Sequence, residues 1–411
     1  MEYGLYHLKN GLSFLHRPGL SKGITHLCII IHVGSRDEKN EETGMAHFVE
    51  HMLFKGTKTR NNRQILNFLE LVGGEINAYT TKEYTCIYAS FLDEYLVKAL
   101  RLISDMIMNS TFPKAEIERE KGVIGDEIDS YKDIPEEYIQ DDFDEIIFGE
   151  HTLGKNILGT KHTINRFGQK DLEEYSKTHF FSQNMVLGIY NGLPSSRMQI
   201  LAEKYFGNLN SSEKKQAREE CVSVNPIKKV VKAPIHQVHG IIGARSYSLQ
   251  EPQRMAMQLI MNLLGGPGMS SRLNLEIREK RGICYQIEAN YSPLSDTGIF
   301  SIYFGTDPEK YEKCISLIHK ELTGLCKKGL SSLYLHQSKT RFKGQIALAD
   351  ENHASVLISL CKAVQDYGRA DSIREIFSQI DQISNSQILE IANSQLDPKN
   401  LSSLILVPSE N

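Results

Sequence analysis

His47, Glu50 and His51 stand in an H-x-x-E-H arrangement within residues 44–57. On a helix the two histidines are four apart, so both imidazoles leave the same face. Two neutral imidazoles and a third ligand leave one position of a tetrahedral zinc ion free for a water. Glu50 lies on the same side, one residue before the second histidine. It is placed to take a proton from that water rather than to bind the metal. The order mirrors that of the H-E-x-x-H helix, and both orders occur as zinc-binding signatures. The rest of the stretch is apolar: Met45, Ala46, Phe48, Val49, Met52, Leu53 and Phe54. Ionisable groups inside such a segment are costly unless paired or metal-bound, which favours ligands over satisfied core histidines.

A third ligand must come from another element. Residues 115–131 hold the candidates, on a helix expected to follow Pro113. Ile117, Ile124 and Ile128 define its apolar face. At 100° per residue Tyr131, Glu120 and Glu127 fall within about 80° of the centre of that face, whereas Glu118, Asp126 and Asp129 lie about 100° or more from it and point away. The expected assignment is Glu127 as ligand and Glu120 as the carboxylate that orients a ligand or the water. Gly122 and Gly125 weaken this helix by propensity, and close packing against the first helix would account for them.

The elements around these residues read as mixed α and β. Residues 3–16 form two strands about a turn at residues 9–11, and 25–33 is a β-rich run. Residues 62–71 are helical and stop at Gly73-Gly74. Two β-rich runs follow in 75–91, then an amphipathic helix over 93–108. A short strand is expected at 185–190. The polar, charged stretch within 207–234 reads as a connection. It sets the expected division: 1–209 as a metal-binding domain, 210–232 as linker, 233–411 as a second domain. The halves look related. A shift of 210 residues lays Met45-Ala46, Leu53 and Gly56 on Met255-Ala256, Leu263 and Gly266 without a gap, but His47 falls on Met257, Glu50 on Ile260 and His51 on Met261. Two β-rich runs in 284–305 and a helix over 307–325 repeat the order of 75–108.

The net charge of -4 leaves no basic footprint for nucleic acid. No apolar run approaches bilayer length, and the first residues lack the pattern of a signal peptide. Seven scattered cysteines without C-x-x-C favour reduced thiols and a cytoplasmic location. The Gly-Gly-Pro-Gly stretch at 265–268 lacks the Gly-Lys-Ser/Thr ending of a phosphate loop.

Taken together, the chain resembles the inverted-zincin metallopeptidases of the pitrilysin (M16) family. It is similar to the short bacterial processing-peptidase-like members and to the mitochondrial processing peptidase β subunit. His47-Phe-Val-Glu50-His51, Glu120 and Glu127 at the family's distances, Asn77-Ala78-Tyr79-Thr80, residues 265–273 and Arg278 to Tyr285 carry the resemblance. Gly125-Asp126 ahead of Glu127 departs from many members. The resemblance implies an α+β fold of two related half-domains, each a mostly antiparallel sheet with helices packed on one face. It implies one zinc ion per chain, held by His47, His51 and Glu127, with Glu50 as general base. Substrate would be an unfolded peptide or short unstructured segment paired along an edge strand at Asn77 and Ala78. Arg278 and Tyr285 would stabilise charge on the reacting peptide from the other half of a chamber built by two chains, as in a homodimer. A non-catalytic or partner-requiring subunit of such a two-chain peptidase is the alternative.

Overall fold

The computed structural model describes residues 3–19, 23–212, 218–222 and 225–409. The first sheet contains β1 (Gly4–His7), β2 (Ser13–Pro18), β3 (Ile24–Ile31), β4 (Glu75–Thr80), β5 (Thr85–Leu92) and β6 (Met185–Asn191), in the order β1-β2-β6-β3-β5-β4. β2 and β6 run parallel and the other neighbours antiparallel. The second sheet contains β7 (Lys228–Ala233), β8 (Val238–Ser246), β9 (Cys284–Pro293), β10 (Gly298–Thr306) and β11 (Ser402–Pro408), in the order β7-β11-β8-β10-β9. Here β7 and β11 are the parallel pair. Without β1, the two sheets match strand for strand: β2-β6-β3-β5-β4 against β7-β11-β8-β10-β9. The fold is thus two related α+β halves.

Both faces of each sheet are covered. On β3, Leu27, Ile29 and Ile31 point into the core that holds Phe48, Met52, Leu100 and Ile124. Cys28 and Ile30 point the other way, against Leu357, Cys361 and Val364. A strand buried on both faces reads as an unbroken apolar run, as Leu27 to Ile31 does. The helix on this second face, His353–Tyr367, comes from the far half of the chain. In the other sheet, Ile242, Ile302 and Ile405 face the main helices. Ile241, Tyr303, Leu404 and Leu406 pack on Ile139, Phe143, Ile146 and Ile147 of the helix Pro135–Phe148, which comes from the near half.

The compact units follow this exchange. One comprises Met1–Ser130, Lys155–Arg218 and Leu348–Ser372; the other Tyr131–Gly154, Glu219–Ala347 and Ile373–Asn411. One helical segment from each half therefore crosses the division expected from the sequence. Within the expected linker, 213–217 and 223–224 lie outside the described residues, while Lys228–Ala233 is β7. Arg218 is docked in the first unit. It donates to both Asp37 carboxylate oxygens at 2.9 and 3.0 Å and lies 3.1 Å from Glu83 Oε1.

The helix Lys114–Tyr131 forms as its apolar spacing predicts, with Ile117, Glu120, Ile124 and Ile128 buried. Its glycines are not explained by close packing: a Cβ on Gly122 or Gly125 would meet nothing within 4 Å. The correction is that both sit on the open side of the helix, and no contact accounts for them.

Candidate metal centre

The helix Met45–Met52 carries the H-x-x-E-H residues. Gly44 enters it at φ 94°, a left-handed conformation that glycine adopts without strain. A Cβ there would lie 2.8 Å from the Leu158 carbonyl oxygen. The first turn is capped from outside: buried Glu38 accepts from the backbone N–H groups of Gly44 at 2.9 Å and Ala46 at 2.7 Å. A carboxylate at a helix N-terminus satisfies orphan donors and complements the helix dipole.

His47 and His51 turn their Nε2 atoms towards each other, 3.1 Å apart. Glu127 Oε2 lies 4.0 Å from His47 Nε2 and 3.7 Å from His51 Nε2. One ligand atom from each of the three falls within 4.8 Å of the others. Glu127 Oε2 is buried from solvent yet has no hydrogen-bond partner, and neither has His47 Nδ1. Two nitrogens bound to one tetrahedral zinc at 2.0–2.1 Å are about 3.3 Å apart, close to the imidazole separation. A divalent ion therefore fits the donors: two facing nitrogens and one unpartnered carboxylate oxygen.

Glu120 contacts both His51 and Lys55. Its Oε1 lies 2.8 Å from His51 Nδ1, and its Oε2 2.6 Å from Lys55 Nζ, with its own side chain 4% exposed. An anionic acceptor there fixes the proton on His51 Nδ1 and turns the Nε2 lone pair inward. Burial opposes the Glu120 charge, but hydrogen bonds from His51 and Lys55 hold its carboxyl below the ordinary range. Burial, reinforced by the nearby His51, pushes His47 down to about 3, so this ring stays neutral and able to ligate. For His51, burial lowers the value, but the Glu120 hydrogen bond and the charges of Glu127 and Glu50 outweigh it and raise it.

Glu50 is 8% exposed, and its Oε2 accepts from Thr80 Oγ1 at 2.7 Å. Burial raises its carboxyl, against the pull of Thr80 and His51. That is the direction a general base needs to hold a proton in passing. Thr80 ends β4, so the base is tied to the strand carrying Asn77 and Ala78. β4 is the terminal strand of its sheet and pairs only with β5 among the described residues. Asn77 is exposed there and its Oδ1 accepts from the Ala78 N–H at 2.8 Å.

Arg278 and Tyr285 belong to the second unit. Both line one groove of about 390 Å³, together with Met261, Asn262, Gly265 and Asn290. The Tyr285 hydroxyl donates to Asp307 Oδ1 at 2.7 Å, and Arg278 lies 3.9 Å from Glu279. Thus His47, Glu50, His51, Glu120 and Glu127 come together in one unit, and Arg278 and Tyr285 in the other. Sequence reasoning missed Thr80 as the partner of Glu50, Lys55 as the partner of Glu120, and Glu38 as the helix cap. Thr80 stood inside a stretch already singled out, whereas Lys55 and Glu38 carry no local signal. Among the described residues no helix is long and apolar enough to cross a membrane.

The chain is similar to known proteins in sequence and in fold. The family model described as Insulinase (Peptidase family M16) matches residues 21–161, and that described as Peptidase M16 inactive domain matches residues 166–342. A Bacillus subtilis (strain 168) protein named uncharacterized zinc protease YmxG is 30% identical over 406 residues, covering 99% of this chain and 98% of that one. An uncharacterized zinc protease of Rickettsia bellii (strain RML369-C) is 31% identical over 397 residues, covering 95% and 94%. In fold, a protease from Helicobacter pylori superposes with a TM-score of 0.90 at 21% identity, covering 99% of both chains. The peptidase M16 inactive domain from Pseudomonas fluorescens gives 0.92 at 19% identity, covering 100% of this chain and 98% of that one.

Proposed function

This chain belongs to the M16 peptidase family, and we propose that it is a zinc-dependent endopeptidase acting on unfolded peptides or short unstructured segments. The convergence of His47, His51 and Glu127 beside a buried Glu50 carries the reading. His47, His51 and Glu127 would hold the ion. When bound, zinc supplies a Lewis acid for the scissile carbonyl and lowers the pKa of a water. Glu50 accepts the proton of the attacking water through Oε1, since Oε2 is engaged by Thr80. It then passes that proton to the leaving amine. The outer edge of β4 offers backbone donors and acceptors to an extended peptide, which makes recognition tolerant of sequence. Arg278 and Tyr285 offer a cation and a phenol to developing negative charge.

The same reading takes the enzyme as a homodimer enclosing a chamber, in which Arg278 and Tyr285 of one chain serve the metal site of the other. Each chain carries both elements, so two composite sites would form. Hydrolysis of a quenched-fluorescence peptide library by wild type and Glu50→Gln, before and after chelation and zinc readdition, tests the chemistry. Activity should vanish with the chelator and return with zinc. Glu50→Gln should retain zinc but lose about 10²–10⁴-fold in kcat. A zinc-loaded wild type without activity would point to a subunit that needs a different partner. Mixing inactive Glu50→Gln with inactive Arg278→Ala chains should restore one working site per mixed dimer; no recovery after verified exchange overturns the cross-chain arrangement.

A further inference from the structure

We propose that Lys55 is a positioning residue of the metal centre, acting through Glu120 on His51; the inference rests on the zinc reading above. Lys55 Nζ lies 2.6 Å from Glu120 Oε2, while Glu120 Oε1 lies 2.8 Å from His51 Nδ1. The three groups form a line from the protein surface to the ligand. The Glu120 side chain is 4% exposed and that of Lys55 23%. A carboxylate this buried is stable in place only with a compensating partner. Lys55 supplies the positive charge and fixes the rotation of the carboxylate by occupying the oxygen that His51 does not use. The other oxygen is then held as an acceptor for His51 Nδ1–H, which orients the ring and leaves Nε2 for a metal.

The backbone that bears Lys55 is itself anchored. Gly56 bridges to Asn61 and Thr57 to Ser110. The Thr57 and Thr59 hydroxyls donate to Asp105 Oδ2 at 2.7 and 2.8 Å, and Arg60 pairs with the same carboxylate. Asn62 Nδ2 donates to the Phe54 carbonyl at 3.0 Å. The lysine thus leaves a fixed segment, and less backbone freedom is lost on pairing than for a lysine on a mobile loop. A shift of 210 residues places Gly265 opposite Lys55. The half that lacks the histidines lacks the lysine as well.

The test is zinc affinity, read by titrating apo-protein against a chromophoric chelator, with thermal unfolding of each apo-protein alongside. Lys55→Met and Lys55→Gln should bind zinc about 10–100-fold more weakly, the usual effect of removing an outer partner of a ligand. Their apo-proteins should unfold below wild type, because Glu120 loses its charged partner, and the loss of zinc affinity should persist at temperatures well below either transition. Lys55→Arg, which keeps the charge, should recover most of the affinity, and Lys58→Met should change nothing. Because Lys55 acts through Glu120, the Lys55→Met/Glu120→Gln double variant should bind no more weakly than Glu120→Gln alone. Wild-type affinity in Lys55→Met overturns the proposal. So does full additivity in the double variant, or a loss that appears only near the unfolding transitions and is not rescued by arginine. A wild type that takes up no zinc overturns the metal reading itself, and this proposal with it.

Discussion

The helices Met45–Met52 and Arg254–Gly265 occupy equivalent places in the two halves and have opposite characters. Each packs against the terminal strand of its sheet, β4 in one case and β9 in the other. The first presents His47, Glu50 and His51. The second has Met257, Ile260 and Met261 at the same three positions, with exposures of 0%, 0% and 1%. The scaffold therefore does not require polar residues there. Where the histidines are absent, apolar side chains fill the space and the helix becomes ordinary core. The polar set in the first half is held by added partners: Thr80 on Glu50, Glu120 and Lys55 on His51, Glu38 on the helix N-terminus. The proposed site is a local polar insertion in this fold, and its cost is offset by residues outside the helix.

The comparison breaks most visibly if the second helix accepts the chemistry of the first. Ile260→Glu puts at the fully buried position the carboxylate that Glu50 carries in the first half, but without a partner. An uncompensated buried charge costs about 3–5 kcal/mol, so the urea midpoint should fall steeply. An unchanged midpoint would mean that the second helix is as tolerant as the first.

Next comes the residue that leaves the equivalent strand in each half. Ile31 lies opposite Thr85, the first residue of β5, and Ser246 lies opposite Gly298, the first residue of β10. His32 and Tyr247 are thus equivalent. The Tyr247 hydroxyl reaches Ser394 at 3.1 Å. His32 has a buried Nε2 without a partner. Burial, with Arg218 and Arg36 nearby, lowers its pKa from 6.5 to about 4. The unfolded chain therefore binds this proton more readily than the folded one. Stability from His32 is complete above pH 6.5 and is lost as pH falls towards 4, by up to about 3 kcal/mol. His32→Gln should flatten the difference in unfolding free energy between pH 7 and 4; an unchanged slope removes His32 as its source.

A smaller effect is expected at Gly265, the counterpart of Lys55. A Cβ there would stand 2.4 Å from the Ala289 backbone nitrogen on β9. Gly265→Ala must push the helix from the strand and should cost about 1–3 kcal/mol, as overpacking does. The unfolding midpoint measures it. A neutral outcome would show that the second helix is not pressed on its strand, and that glycine is not required where the first half has a lysine.

What the sequence disclosed and what it withheld divide along the same line. The histidine pair, Glu50 and Glu127 were legible because each helix carries its own periodicity, and one face collects its functional residues. The duplication was legible because the second helix kept its apolar positions at a constant offset. The exchange of Pro135–Phe148 and His353–Tyr367 between units was not. Leu357, Cys361 and Val364 reveal a helix with an apolar face, but their partners Cys28 and Ile30 lie more than 300 residues away. Arg218 was hidden for a similar reason. It sits in a polar stretch, and only the fold brings it to Asp37 and Glu83. Lys55 looks in sequence like any solvated lysine; its value depends on Glu120 arriving from another helix.

The finest form of the comparison replaces one histidine of the pair by its counterpart. His47→Met gives the first helix the residue found at 257. In the metal-free chain, His47 Nδ1 is buried without a partner and the ring is held neutral, with its pKa near 3 by burial. Removing an unsatisfied buried group while keeping the volume apolar should stabilise the apo-protein by about 1 kcal/mol. Zinc then reverses the order. At a free concentration 100 times its Kd, zinc stabilises the wild type by about 2.7 kcal/mol, and the variant, short of one ligand, gains far less. Thermal unfolding with and without zinc should show the variant melting higher in the chelated state and lower in the zinc-loaded state. If wild type melts higher in both, the polar helix carries no intrinsic penalty, and the difference between the halves was not set by stability.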